Sequence, residues 1–150
     1  MRVCADENVA PVLTELIRGT LLSRGFTLDT VDDHQARGVD DRIWVRRFAD
    51  AGGHAIVGGD AAMLTRPHEI TAIHQTGLRL VVLDAKWVRQ KRHLQISYLF
   101  YWWPHIEAVL AGARPGSCFK VPWGWGDPTG AIKPAAVDLD RAYKALKRAR

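Results

Sequence analysis

The sequence predicts an α/β fold, a three-layer sandwich with a central, mainly parallel sheet and a C-terminal extension of helix and loop. Short apolar strands alternate with amphipathic helices up to about residue 85, which is typical of a parallel sheet with helices on both faces. Gly, Pro, Asn or Asp stands at most breaks between these elements. The 150 residues are 47% hydrophobic, which is enough for one domain with a substantial core.

The first half of the chain contains four predicted strands with three helices between them. Apolar or β-rich runs predict strands at 3–5, 26–31, 54–58 and 78–83. Apolar residues with helical spacing predict helices at 9–21, 41–51 and 67–77. Asn8 is a suitable N-cap for the first helix, and Asp40 or Asp41 opens the second.

The remainder of the chain is more aromatic and more basic. An apolar segment at 94–111 predicts a helix kinked near Pro104, followed by a strand at 118–121, a Gly- and Pro-rich loop at 122–134 and a last helix at 138–150. We therefore expect an α/β domain at 1–114 and a basic extension at 115–150, packed on or beside it. The aromatic run from Tyr98 to Trp103 predicts either core or the face of a homodimer.

Several classes of protein do not fit this composition. No segment approaches the roughly 20 apolar residues that cross a membrane, and the N-terminus does not resemble a signal peptide. Two cysteines, Cys4 and Cys118, cannot build a disulfide framework. The expected location is the cytoplasm.

The net charge of +5 conceals an uneven distribution along the chain. Residues 1–85 contain 9 Lys and Arg and 12 Asp and Glu, whereas residues 86–150 contain 12 and 4. This division predicts an acidic site beside a basic surface that binds a polyanion.

Acidic residues collect where the predicted strands end. Asp6, Asp60 and Asp84 each follow a strand, and Asp41 opens the helix after the second strand. In a parallel sheet these ends share one edge, and carboxylates gathered there are stabilised by a hard cation such as Mg²⁺ or Mn²⁺. We predict that Asp6, Asp41 and Asp60 bind the metal. An acid in such a position is also a common helix cap, an alternative that holds most strongly for Asp84 and for Asp40.

Three short motifs carry a resemblance to a known family. Asp6-Glu7-Asn8, Asp41-Arg42-Ile43-Trp44 and Gly58-Gly59-Asp60 occur in this order over roughly residues 2–87. They resemble the signature of PIN-like domains, and in particular the short PIN-like proteins related to VapC toxins. The resemblance implies Mg²⁺- or Mn²⁺-dependent cleavage of RNA, often by the toxin of a toxin–antitoxin pair, and hence a protein antitoxin as a partner.

The resemblance also marks secondary candidates and departures. Glu7, Asn8 and Asp84 are secondary site residues, with Glu7 and Asp84 competing for the place of a fourth acid. Many PIN domains have Thr or Ser where this chain has Gly58. The residues predicted to contact RNA are Arg66, Lys86, Arg89, Lys91 and Arg92.

Two other functions remain open at this point. Asp6-Glu7 followed by Asp60 also resembles the acidic residues of a phospho-receiver domain, although Asp84 stands where a receiver has Thr or Ser. A PIN-like domain without catalytic activity that binds RNA or protein is the second alternative. Phosphorylation by a small phosphodonor and a metal titration distinguish these functions from a nuclease.

Overall fold

A computed structural model describes all 150 residues. A single six-stranded sheet lies at the centre of the fold. The strands are β1 (Arg2–Ala5), β2 (Thr27–Thr30), β3 (Ala55–Gly58), β4 (Arg79–Val82), β5 (Cys118–Lys120) and β6 (Lys133–Pro134). The α-helices are α1 (Pro11–Thr20), α2 (Asp41–Asp50), α3 (Pro67–Thr76), α4 (Arg92–Gly112) and α5 (Leu139–Arg148).

The strand order is β2-β1-β3-β4-β5-β6. The first five strands are parallel, and β6 runs antiparallel to β5 at the edge. The predicted α/β class with a mainly parallel sheet is therefore confirmed. The order changes direction between β1 and β3, and this is where open parallel sheets bind their ligands.

Helices cover both faces of the sheet because side chains along each strand alternate between the two faces. Val3 and Ala5 of β1 belong to a core that α1 and α4 complete, whereas Cys4 faces the second core, formed with α2 and α3. The helix α5 packs against α3 through the buried Ala142, with Leu139, Tyr143 and Leu146 half-buried around it. The sheet and the helices on its two faces form the three layers, with one core on each side of the sheet.

Local capping explains where the helices begin and end. Asp40 caps α2 by accepting a hydrogen bond from the Arg42 N–H, and Gly77 ends α3 with a φ of +72°. The prediction for α1 was wrong by two residues, since Ala10 is its N-cap and Pro11 its first residue. Asn8 does not cap α1, because it donates hydrogen bonds to Asp6 instead.

The aromatic run of α4 belongs to the core. Tyr98, Trp102 and Trp103 are at most 1% exposed, and polar atoms of two of them hold the following loop. The Tyr98 hydroxyl donates to the Pro122 carbonyl at 2.9 Å, and the Trp102 indole N–H donates to the Gly124 carbonyl at 2.8 Å. Residues 115–150 thus supply two strands of the sheet and a loop fastened to α4. The strand β6 was not predicted, because its two residues are too few to show a pattern.

Two further sequence inferences concern the cysteines and the membrane. Cys4 and Cys118 are both buried and unpaired, as expected of a chain without a disulfide framework. None of the helices combines the length and the apolar character that a membrane span requires.

Glu107 is a buried acid whose removal we expect to destabilise the fold. Its Oε1 accepts from the Trp103 indole N–H at 2.7 Å and from the Ser23 N–H at 3.1 Å, joining α4 to the loop after α1. Glu107→Leu leaves both donors without an acceptor, so we expect a loss of roughly 3 kcal/mol in the free energy of unfolding. Urea denaturation measures it, with Glu107→Gln as the control that keeps an acceptor oxygen. Equal stability of the Leu variant and the parent contradicts the prediction.

Candidate active site

The point where the strand order reverses carries two of the predicted acids. Asp6 follows β1 directly, and Asp60 follows β3 after Gly59. The pairing of β1 with β3 brings the two loops side by side, so that the Asp6 N–H donates to the Val57 carbonyl at 3.0 Å. The sheet therefore delivers both residues to one edge, as the sequence predicted.

Asp6 is buried and its oxygens are engaged within the protein. Both oxygens accept from the Gly59 N–H at 3.1 Å, and the backbone N–H and side-chain amide of Asn8 donate at 3.0 and 3.4 Å. Gly58 makes room for this carboxylate, because a Cβ there would lie 3.1 Å from Asp6 Oδ2 and 2.9 Å from Met63 Sδ. A larger residue at Gly58 would therefore require the Met63 or Asp6 side chain to shift.

The other two predicted acids meet at an arginine. The guanidinium of Arg66 lies 2.8 Å from Asp60 Oδ2 through its Nη2. Its Nη1 lies 3.7 Å from Asp41 Oδ2 and 2.9 Å from Glu69 Oε1. Glu69 was missed by the sequence analysis. The sequence did contain a clue to Glu69, because it is the acid in the first turn of α3, the α-helix that follows Asp60.

The carboxylate oxygens of Asp41 and Asp60 that do not face Arg66 accept hydrogen bonds from nearby N–H groups. Asp41 Oδ1 accepts from the Trp44 indole N–H at 2.7 Å, and Asp60 Oδ1 accepts from the Ala62 N–H at 2.9 Å. The spacing Asp-x-x-Trp is thereby explained, because one helical turn brings the indole onto the carboxylate. Glu69 is 5% exposed, and its Oε2 has no hydrogen-bond partner.

A cleft of about 350 Å³ opens beside Arg66. Its walls contain Asp41 and Glu69 together with Glu7, whose carboxylate accepts from the Gly38 N–H at 3.3 Å. Asp84 forms none of the ion pairs with Arg66 and instead accepts from the Lys86 N–H at 2.9 Å. Of the secondary candidates, Glu7 lines the cleft and Asn8 supports Asp6, whereas Asp84 caps a turn.

The acids suit a divalent ion by their chemistry, but an arginine holds the central position. Carboxylate oxygens are the ligands that Mg²⁺ and Mn²⁺ prefer, and the buried Glu69 Oε2 lacks a partner. No three His, Cys, Asp or Glu side chains surround a common point suitable for a metal ion in this arrangement. The Arg66 guanidinium takes the place of the cation, so a metal could bind Asp41, Asp60 and Glu69 only after that side chain moves.

The predicted basic segment lies at the same edge of the sheet. It follows β4, and Lys86, Arg89, Lys91 and Arg92 are all exposed. None of the four forms an ion pair with an acidic group. Their charge is therefore free to act on a polyanion.

Comparison with known families decides which family this is. A family model described as "PIN like domain" matches residues 1–85, more than half of the chain. The chain belongs to the PIN-like domain family. A PIN-like domain has a nuclease-type fold, and the match covers β1 to β4 with the loop and helix residues Asp6, Asp41, Asp60 and Glu69. No curated protein and no solved structure matches the chain.

Burial raises the pKa of two acids of this PIN-like domain. The pKa of Asp6 rises to about 6, although hydrogen bonds from Gly59 and Asn8 lower it. The pKa of Glu69 rises to about 7 through burial and the nearby Asp41, against the hydrogen bond from Arg66. Both values exceed those of an unfolded chain, so the folded state binds these protons more tightly.

We expect the metal-free protein to lose stability as pH rises from 5 to 8. A raised carboxyl pKa contributes stability that is lost as the pH rises from the unfolded to the folded value, and each pKa unit of difference corresponds to about 1.4 kcal/mol. Glu69→Gln removes the Glu69 contribution to this pH-dependent loss. The variant should therefore lose less stability over that range and be more stable than the parent at pH 8. Urea denaturation in EDTA at each pH measures this. A parallel pH profile for parent and variant contradicts the prediction.

Proposed function

We propose that this PIN-like domain is a divalent-metal-dependent ribonuclease. One observation carries the proposal: three carboxyl groups surround a cation at the edge of the sheet where the strand order reverses, on a nuclease-type fold. The cation present is the Arg66 guanidinium, and the oxygen ligands suit Mg²⁺ or Mn²⁺.

The residues of the chain have distinct parts in this proposal. Asp41, Asp60 and Glu69 would hold the ion with oxygens that now face Arg66. Asp6 adds a further carboxylate, close enough to Asp60 for the Asp60 charge to raise its pKa. A bound ion activates water and offsets charge on the phosphate oxygens. Asn8 and Gly59 orient Asp6, and the Trp44 indole orients Asp41.

RNA is the substrate we propose, guided by the basic segment at 86–92 and by Arg66. Phosphate contacts from Lys and Arg supply most of the affinity for nucleic acid without reading sequence. The resemblance of three short motifs to those of VapC-related proteins is the basis on which we also propose a toxin that a protein antitoxin neutralises. A small neighbouring gene for a DNA-binding protein is the observation that tests this part.

A metal titration tests the site without RNA. Mn²⁺ or Mg²⁺ should raise the melting temperature, since a ligand that binds only the folded state stabilises it. Asp60→Asn should abolish most of that rise while the protein stays folded, because an amide oxygen still accepts from the Ala62 N–H. Asp50→Asn is the matched control, an exposed acid on α2. An unchanged metal response in Asp6→Asn and Asp60→Asn excludes the proposed ligands.

Cleavage of a mixed RNA pool with and without Mg²⁺ tests the activity itself. Stabilisation by metal without cleavage favours a PIN-like module that only binds RNA or protein. The family match argues against the phospho-receiver alternative, and labelling of Asp60 by acetyl phosphate would restore it.

A further inference from the structure

Two tryptophans, to which the proposed metal site gives no role, follow β5 at the carboxyl edge of the sheet. Trp125 is 40% exposed, and Trp123 is half-buried beside it. We propose that Trp125, supported by Trp123, stacks on an unpaired base of RNA. This inference rests on the proposed RNA substrate, to which it adds that the RNA is single-stranded where it meets this loop.

The two tryptophans form an aromatic cluster with Tyr98 of α4. The ring of Trp123 is stacked on that of Tyr98, with the ring centroids 5.1 Å apart. The Trp125 ring stands at a steep angle to both, with its centroid 6.1 Å from that of Tyr98 and 5.5 Å from that of Trp123. These contacts hold the Trp125 ring in place, and its exposed fraction leaves ring surface for a ligand.

The backbone on either side of Trp125 is held by side chains of α4. The Trp102 indole N–H donates to the Gly124 carbonyl at 2.8 Å, and the Tyr101 hydroxyl donates to the Gly126 carbonyl. Because both neighbours in the chain are held, Trp125 loses little conformational freedom when a ligand binds, and less of the binding free energy is spent on ordering the loop.

The order of the strands places basic charge between the tryptophans and the acids. The strands β3, β4 and β5 are parallel neighbours, followed respectively by Asp60, by the basic segment at 86–92 and by the tryptophans. The Asp84 N–H donates to the Tyr98 hydroxyl at 3.4 Å, so the aromatic cluster contacts the loop that leads into the basic segment. Adjacent strands are about 4.8 Å apart, which puts β5 roughly 10 Å from β3. An RNA strand on the basic segment can therefore reach both the tryptophans and the acids.

This combination of ring and charge suits single-stranded RNA. Aromatic rings stack on bases that are not paired in a duplex, and basic side chains beside them bind the phosphates. The four Lys and Arg side chains of the basic segment are exposed and form no ion pairs. A protein partner on this surface would have to remove those charges from water, which is costly unless each is paired.

Fluorescence polarisation with RNA in EDTA, without metal-dependent cleavage, tests the stacking. Trp125→Leu keeps an apolar side chain beside Tyr98 and Trp123 but has no flat ring, so it should bind single-stranded RNA about tenfold more weakly than the parent. Trp125→Phe should recover most of that loss. Phe26→Leu is the matched control, because Phe26 is a half-buried aromatic residue that precedes β2 at the opposite edge. Its affinity should equal that of the parent.

A duplex of the same sequence separates stacking from charge. Paired bases are not available to the ring, so Trp125→Leu and the parent should bind duplex RNA equally. The salt slope for single-stranded RNA should also be unchanged in Trp125→Leu, because no phosphate contact is lost. Equal affinities of the Leu and Phe variants for single-stranded RNA, or the same loss with duplex RNA, overturn the proposal.

The rival occupant of this surface is a second copy of the chain. A dimer that Trp125→Leu converts to a monomer in sedimentation, with RNA affinity unchanged, overturns the proposal in favour of a subunit interface. Cleavage is a separate measurement. Ring-dependent binding of single-stranded RNA without cleavage by the parent keeps the stacking surface and refutes the nuclease. Metal-dependent cleavage with parental RNA affinity in Trp125→Leu refutes only the stacking, and no RNA binding by the parent refutes both.

Discussion

Asp60→Asn should lower the rate of RNA cleavage at least about 100-fold, because even residues that merely support metal ligands contribute about 10- to 100-fold. Asp60 presents one oxygen to the cation position, at 2.8 Å from Arg66. The affinity for RNA should change little, since binding depends on Lys and Arg contacts to phosphate. Single-turnover cleavage measures the rate, and fluorescence polarisation with a phosphorothioate RNA measures the affinity.

The control for this prediction is Asp50→Asn, which makes the same chemical change at an exposed position of α2. It should cleave RNA at the parent rate. Should Asp60→Asn also cleave at the parent rate, the nuclease activity of the preparation arises at another site or from a contaminant.

Reversing two charges of the basic segment should weaken RNA binding at least about tenfold and make it less dependent on salt. Arg89 and Arg92 are exposed and free of ion pairs at the edge of the sheet that carries the acids. Each contact to single-stranded phosphate contributes about 0.7 to the slope of log affinity against log salt, so Arg89→Glu with Arg92→Glu should reduce it by roughly 1.4. The loss should be similar for all RNA sequences.

A matched double variant separates this effect from that of net charge. Arg24 and Arg114 are also exposed and precede β2 and β5, at the opposite edge of the sheet. Reversing both charges changes the net charge equally, yet it should leave the salt slope unchanged. Equal slopes in the two double variants would mean that RNA approaches by another face.

The sequence alone determined the alternation of strands and helices, and with it the edge where Asp6 and Asp60 lie. These properties follow from local patterns: period-2 and period-3.6 burial, turn residues, and the rule that parallel strands end together. The family also followed from short motifs whose order is visible in the chain. The aromatic run of α4 showed its apolar character, but its place in the core or at a dimer face depended on which elements pack against it.

Only the tertiary structure decided which charged groups meet. Glu69 looked like an ordinary acid in the first turn of a helix, and Arg66 looked like a residue for phosphate. Their pairing with Asp41 and Asp60 depends on how α2 and α3 pack on one face of the sheet. Asp6, by contrast, faces the Gly59 N–H across the β1–β3 pair. Such contacts join residues distant in sequence, and their geometry is set by packing rather than by any local periodicity.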